Sequence, residues 1–146
     1  MKYLTDVKLL EKTYEMYYDE YKNYNNDQSI RESKIYVPID CSLIANKLNF
    51  EQDIVFGRFY YHLDKKFAYK QDDNSKVHFF LFHTEKEKNL INFPLLASVL
   101  ADMKEQEFKF RFPIIISVIA IVISLVSVSV SLYSNEYVKE NNVCKK

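Results

Sequence analysis

IIISVIAIVISLVSVSVSL, residues Ile114–Leu132, runs for nineteen residues without a charge. It holds eleven Ile or Val, two Leu, one Ala and five Ser. At about 1.5 Å per residue, a helix of this length reaches about 28 Å, close to the hydrocarbon thickness of a bilayer. Its large aliphatic side chains favour insertion by about 4–8 kcal/mol before the serines are counted against it. A chain of 146 residues has little core in which to hide so apolar a helix. Residues 113–133 therefore read as a single transmembrane helix, with the lipid bilayer as its partner.

Outward from the span, residues 1–12 are mixed and charged, and the chain's start offers no secretory signal. Residues 1–112 are expected to stay on the side of synthesis, as a cytoplasmic domain on a C-terminal tail anchor. In a bacterium the membrane would be the inner one. Lys109 and Arg111 abut the near end of the span, whereas the first lysine beyond it is Lys139, a bias that agrees with this orientation. Residues 134–146 form a short polar tail. Phe108, Phe110 and Phe112, interleaved with Lys109 and Arg111, suit the headgroup zone, where rings and long cations settle; a short amphipathic strand or linker is the other reading. Pro113 suits the first position of the spanning helix, where its missing donor costs nothing.

Within the span, Ser117, Ala120, Ser124, Ser127 and Ser131 fall within about 80° of one another on a helical wheel. Such a stripe lets two backbones approach and offers self-association as a homo-oligomer. Serines that bond back to their own helix carbonyls are the alternative.

Residues 1–112 suffice for one small domain. Their 17 Lys and Arg balance 18 Asp and Glu, and the one glycine, Gly57, excludes a glycine-rich phosphate loop. Cys41 and Cys144 would lie on opposite sides of the membrane, so no intrachain disulfide is expected. A helix is expected from about Thr5 to Tyr24, with Tyr3, Val7, Leu10, Tyr14, Tyr17, Tyr21 and Tyr24 recurring at steps of four and three. That seam reads either as a helix laid across its own domain, phenols reaching polar partners, or as an intermolecular coil.

Polar turn formers follow at Asn23–Gln28. Lys34–Ile39 is expected as a short edge strand because of Pro38, and Asp40 as the cap of a helix Cys41–Leu48. Asn49 suits a left-handed turn, and a second helix is expected over Glu51–Lys65. Phe67–Lys70 and Lys76–His83 read as a hairpin around the tip Gln71–Ser75. A last amphipathic helix is expected over 94–106, its face made by Leu96, Val99, Leu100 and Met103.

This order resembles a winged helix-turn-helix domain over about Lys34–His83. Ala45 stands where that family has a small residue at the helix crossing, with Ile44, Leu48, Phe50 and Val55 around it. Asn49 fills the glycine-like turn position. Arg58 falls where an apolar residue is usual, and Phe59 takes the role by a one-step shift. The fold class expected is α+β, a small helix-rich winged-helix-like domain followed by a single transmembrane helix. The resemblance implies DNA contact through Arg58, Tyr61, His62 and Lys65 on the groove-entering helix, with Lys66, Lys70 and Lys76 touching phosphates from the wing. The charge is thin for that role. Between Arg58 and Lys76 five basic residues face three acidic ones, and DNA-binding faces are usually far more basic. Winged helices also dock proteins. Bacterial membrane-anchored transcription regulators are similar in plan but carry a sensing domain on the far side, for which the tail leaves no room.

Catalytic chemistry finds no foothold. His78 and His83 point to opposite faces of a strand; His62 sits on an outer helix face beside two tyrosines. None has a metal-ligand spacing. Cys41 reads as a small buried thiol; Asp72-Asp73 and Glu85 with Glu87 read as solvated turn residues. No catalytic, metal or cofactor site is expected. The leading function is a non-enzymatic single-pass membrane protein whose domain docks a protein partner, regulatory or scaffolding. A membrane-tethered DNA-binding regulator and a small membrane-active effector that clusters its span are the alternatives.

Overall fold

The computed structural model describes residues 3–24, 33–83 and 88–143. Most of the turn at Asn23–Gln28, the pair Glu85 and Glu87, and Cys144 lie outside them. The chain divides into two units, Met1–Lys104 and Glu105–Lys146. It is a mixed helix-and-sheet protein with one long apolar C-terminal helix.

In the first unit, α1 (Asp6–Asn23) starts at Thr5, whose hydroxyl accepts the Lys8 N–H at 3.3 Å. Leu9, Leu10, Thr13 and Tyr17 form its buried stripe. Of the expected seam, Leu10 and Tyr17 are buried, Tyr14 and Tyr21 pack on the core and stack on Phe93 at 5.3 and 4.8 Å, and Tyr3 is exposed; Leu9 and Thr13 widen the stripe by one position. The Tyr17 hydroxyl accepts the Asp40 N–H at 2.8 Å. α1 therefore lies across its own domain. Burial, first of all, pushes the Tyr17 phenol above its usual range.

β1 (Tyr36–Ile39) is an edge strand, in the order β1-β5-β4. Phe93 N–H donates to Ile35 O at 2.9 Å, so by alternation the hydrogen-bonded pairs are Val37 with Ile91 and Ile39 with Asn89. Pro38 occupies a non-bonded position, its missing donor facing outward, where it costs no ladder bond.

Asp40 caps α2 (Cys41–Leu48), its Oδ1 accepting the N–H groups of Ser42 (2.7 Å) and Leu43 (3.2 Å). Asn49 ends the helix at φ 57°, and Phe50 N–H closes the turn on Ala45 O. Asp40→Ala is expected to cost about 1 kcal/mol of stability, read by urea unfolding. The Ser42 hydroxyl, then the backbone donors of Leu43 and Ser42, hold the Asp40 carboxyl below its ordinary 3.8. Because the folded value is the lower one, the cap's contribution is complete above the unfolded pKa and disappears as pH falls through the folded one. Loss on raising the pH instead would reject the cap as its source.

The next helix is composite: α3 (Gln52–Gly57), a π-helical turn (Arg58–Asp64) and α4 (Lys65–Phe67). Val55, Phe59 and Leu63 are fully buried at a spacing of four residues. A stripe of period four drifts around an α-helix of period 3.6, and a wider π turn winds it back. This explains the one-step shift: Phe59, not Arg58, enters the core, stacked on Phe80 at 5.3 Å.

The hairpin differs from expectation. β2 (Tyr69–Lys70) pairs only with β3 (Lys76–Val77), around a turn with Asn74 at φ 64°. The apolar run Val77–Phe82 is not one strand. It breaks at His78-Phe79, and β4 (Phe80–His83) instead pairs with β5 (Lys88–Asn92). β5, unforeseen in the sequence, is the central strand. The break has a chemical cause in Asp64, whose Oδ1 accepts the N–H groups of Phe79 (2.8 Å) and Phe80 (3.1 Å).

α5 (Phe93–Val143) is capped by Asn92, whose Oδ1 accepts the Leu95 N–H at 3.1 Å. Leu96 and Val99 are buried, with Leu100 and Met103 packed beside them, as the periodicity predicts. The helix does not stop between residues 106 and 113. It runs through Pro113, which is an interior residue and not the first of a new helix. Its ring leaves the Lys109 carbonyl without the usual donor. In the second unit none of the apolar side chains up to Ser131 is buried, and the segment is long and apolar enough to cross a membrane.

Candidate interaction surface

The composite helix turns its outer residues to solvent, and there the expected nucleic-acid contacts separate into two groups. Arg58 and His62 do not stand free. Asp6, in the first turn of α1, accepts from Arg58 Nε at 2.6 Å and lies 3.2 Å from His62 Nε2. The Asp6 side chain is only 14% exposed, against 36% and 44% for its partners. An acid at a helix N-terminus also meets the positive end of the helix dipole, so one carboxylate gathers three favourable interactions. Beside this cluster lies an open groove of about 540 Å³ between residues 3–6 of the N-terminal segment and Phe50, Ile54 and Arg58.

The second group is cationic and unpaired. Lys65, Lys70 and Lys76 are exposed, with no ion pair among the described residues, and Lys66 lies over the Phe67 ring at 5.0 Å. Lys70 and Lys76 face each other across the β2–β3 hairpin. At the tip, Asp73 accepts from Ser75 N–H, and hydrogen bonding by Ser75 lowers its carboxyl pKa.

The remaining expected contact, Tyr61, belongs to an aromatic surface whose other members sequence reasoning missed. Phe56 stacks on Tyr60 at 5.5 Å and meets Phe82 edge-on at 5.7 Å; Tyr60 meets Tyr61 edge-on at 5.0 Å. Tyr61 is 71% exposed, and Phe82 and Tyr60 about half. The adjacent Tyr60-Tyr61 pair was visible in the sequence, but the approach of Phe82 depends on the β4–β5 pairing.

Elsewhere, Asp64 also meets His78 Nδ1 at 3.1 Å. This dyad is occupied in holding two backbone donors, and no serine or cysteine shares a bond with it among the described residues. Cys41 is buried, its thiol pushed up to about 12 by burial and then by the Asp40 charge, which leaves it a poor nucleophile. No group of three or more His, Cys, Asp or Glu is placed to hold a metal ion among the described residues.

In the second unit, Phe108 and Phe112 stack at 5.7 Å, and Lys109 pairs with Glu105 at 2.7 Å. Of the serine stripe, Ser117 and Ser127 donate to the carbonyls of Pro113 and Ile123 at 2.9 Å, as Ser129 does to Leu125. Ala120, Ser124 and Ser131 lie exposed on the same helix. Compared with known protein families, curated proteins and solved structures, the chain matches none of them.

Proposed function

We propose that the protein is a non-enzymatic, single-pass membrane protein whose N-terminal unit, winged-helix-like and cytoplasmic, docks a protein partner in a regulatory or scaffolding role. The order β1-β5-β4 supports the winged-helix likeness, because a strand ahead of two helices pairs with the far strand of a later hairpin. Under that likeness the wing is the β4–β5 hairpin, and β2–β3 is an addition. The uncovered apolar length of α5 supports the anchor.

One observation carries the docking reading. On the helix that would enter a DNA groove, Arg58 and His62 are both engaged by Asp6, while Tyr60, Tyr61 and Phe82 stand exposed around Phe56. Protein interfaces are anchored by such aromatics, whereas duplex affinity depends on cations available to phosphates. A photoreactive phenylalanine analogue at position 61 or 82 of the full chain is expected to capture one discrete protein in cells, and one at Gln71 is not. Identical products from all three positions, or none, would remove this surface as the docking site. Labelled duplex DNA titrated onto the chain in phosphatidylcholine nanodiscs, at about 50 and 200 mM salt, is expected not to bind. Binding that falls steeply with salt would replace the docking reading with the tethered DNA-binding regulator.

A further inference from the structure

We infer that the turn Lys109–Pro113 is a hinge within α5, at which the apolar segment changes its tilt with bilayer thickness while the polar turns before it keep theirs. The inference rests on the anchoring part of the proposal above and is independent of its protein-docking part.

Two successive rungs of the helix ladder are weak here, one above the other. Pro113 has no N–H, so the Lys109 carbonyl loses its partner four residues on, and the pyrrolidine ring crowds that same oxygen. The next carbonyl along this face is that of Pro113 itself, and the Ser117 hydroxyl donates to it at 2.9 Å. A serine that bonds back in this way competes with the backbone and bends its helix. Residues 109, 113 and 117 follow at steps of four, so both weak rungs lie on one side of the helix. Ser127 and Ser129 bond back as well, to Ile123 and Leu125, but without a proline in the same rungs.

The neighbouring flank is better held. Phe108 and Phe112 stack at 5.7 Å across the same turn, and Lys109 pairs with Glu105 at 2.7 Å in the turn before. On the helical wheel the two phenylalanines stand about 100° round from Lys109 and Pro113. The stack braces that flank and leaves opening to the proline side, so the hinge has one direction, away from Pro113. From Glu105 to Ser131 every side chain is exposed, and among the described residues no other element packs against these turns to hold them straight. Sharp bends in helices arise at proline and where a side chain enters the ladder; this stretch has both.

Position gives the hinge its use. It falls between the charged residues Lys109 and Arg111 and the first residue of the apolar stretch, Ile114. The freed Lys109 carbonyl therefore meets water or headgroups and not hydrocarbon, where an unsatisfied oxygen is costly. A span of about 28 Å must lean further in a thinner bilayer. Phe108, Phe112, Lys109 and Arg111 suit the headgroup level. A joint after them lets the span lean without dragging these anchors out of the interface.

The test is oriented solid-state NMR of the amide nitrogens, with the full chain in aligned bilayers. It reads the tilt of residues 105–112 and of residues 114–131 separately. Thin dilauroyl and thick dieicosenoyl phosphatidylcholine are compared. In the wild type, residues 114–131 are expected to lean about 20° further in the thin lipid, and residues 105–112 less than half as much. Pro113→Ala is expected to make the two segments turn together as one rod, with Ser117→Ala intermediate and Ser127→Ala like the wild type. Equal tilts of the two segments in both lipids in the wild type, or a bend that survives Pro113→Ala, would overturn the hinge. Resonances of residues 114–131 that take no orientation from the bilayer would overturn the anchoring reading, and the inference with it.

Discussion

Replacing Asp64 by alanine is expected to destabilise the N-terminal unit by about 3–5 kcal/mol, the range for removing one partner from a buried polar network. One carboxylate serves three groups: Phe79 N–H, Phe80 N–H and the His78 ring. Phe79 and Phe80 are 0% and 1% exposed, so water cannot replace the lost acceptor. Each orphaned donor costs about 1–3 kcal/mol. The damage also spreads, because these donors fix the start of β4 and hence the stack of Phe80 on Phe59. Asp64→Asn keeps one acceptor oxygen and is expected to lose less than half as much. Urea unfolding of the full chain in detergent, followed by circular dichroism, measures both. A loss under about 1 kcal/mol for the alanine variant would show that the break at His78-Phe79 survives without its anchor.

Ile119→Arg combined with Ile123→Arg is expected to release the chain from membranes. Each arginine near the centre of a span costs about 2.5–3.5 kcal/mol on the insertion scale. Together they cancel most of the 4–8 kcal/mol that the aliphatic side chains contribute. The same pair of arginines at Gln106 and Glu107, outside the apolar stretch, should leave the chain in place. Alkaline carbonate extraction separates the outcomes: the wild type and control stay with the pellet, and the double variant moves to the supernatant. Retention of the double variant would mean that residues 114–132 do not cross the bilayer.

Features written in neighbouring residues were legible in the sequence. The Asp40 cap, the Asn49 turn, the edge role of Pro38 and the Leu96–Met103 face all depend on contacts within one or two turns of chain. What escaped was long-range. Nothing in Lys88–Asn92 announces a central strand, because its partners lie 5 to 11 residues away on the β4 side, from His83↔Lys88 to Phe80↔Ile91, and 50 to 56 away on the β1 side, from Ile39↔Asn89 to Tyr36↔Asn92. Val77–Phe82 looks like one strand because periodicity cannot see a carboxylate arriving from another helix to cut it. The candidate site was half legible for the same reason. The outer-face residues could be placed from spacing, but the grip of Asp6 on Arg58 spans 52 positions. Pro113 was misplaced because a proline can open a helix or sit inside one, and here the helix already runs into it from Phe93.

The two rims of the sheet are finished differently, and that limits how the protein can assemble. On β1, Pro38 has no donor to offer a newcomer. On β4, alternation from the Asn92 N–H bond to Phe79 O sends the Phe80 and Phe82 backbone groups outward, and Asp64 already occupies the Phe80 donor. Among the described residues, neither rim therefore offers an unbroken row of free donors, and a further strand meets a blunted edge on both sides of the sheet.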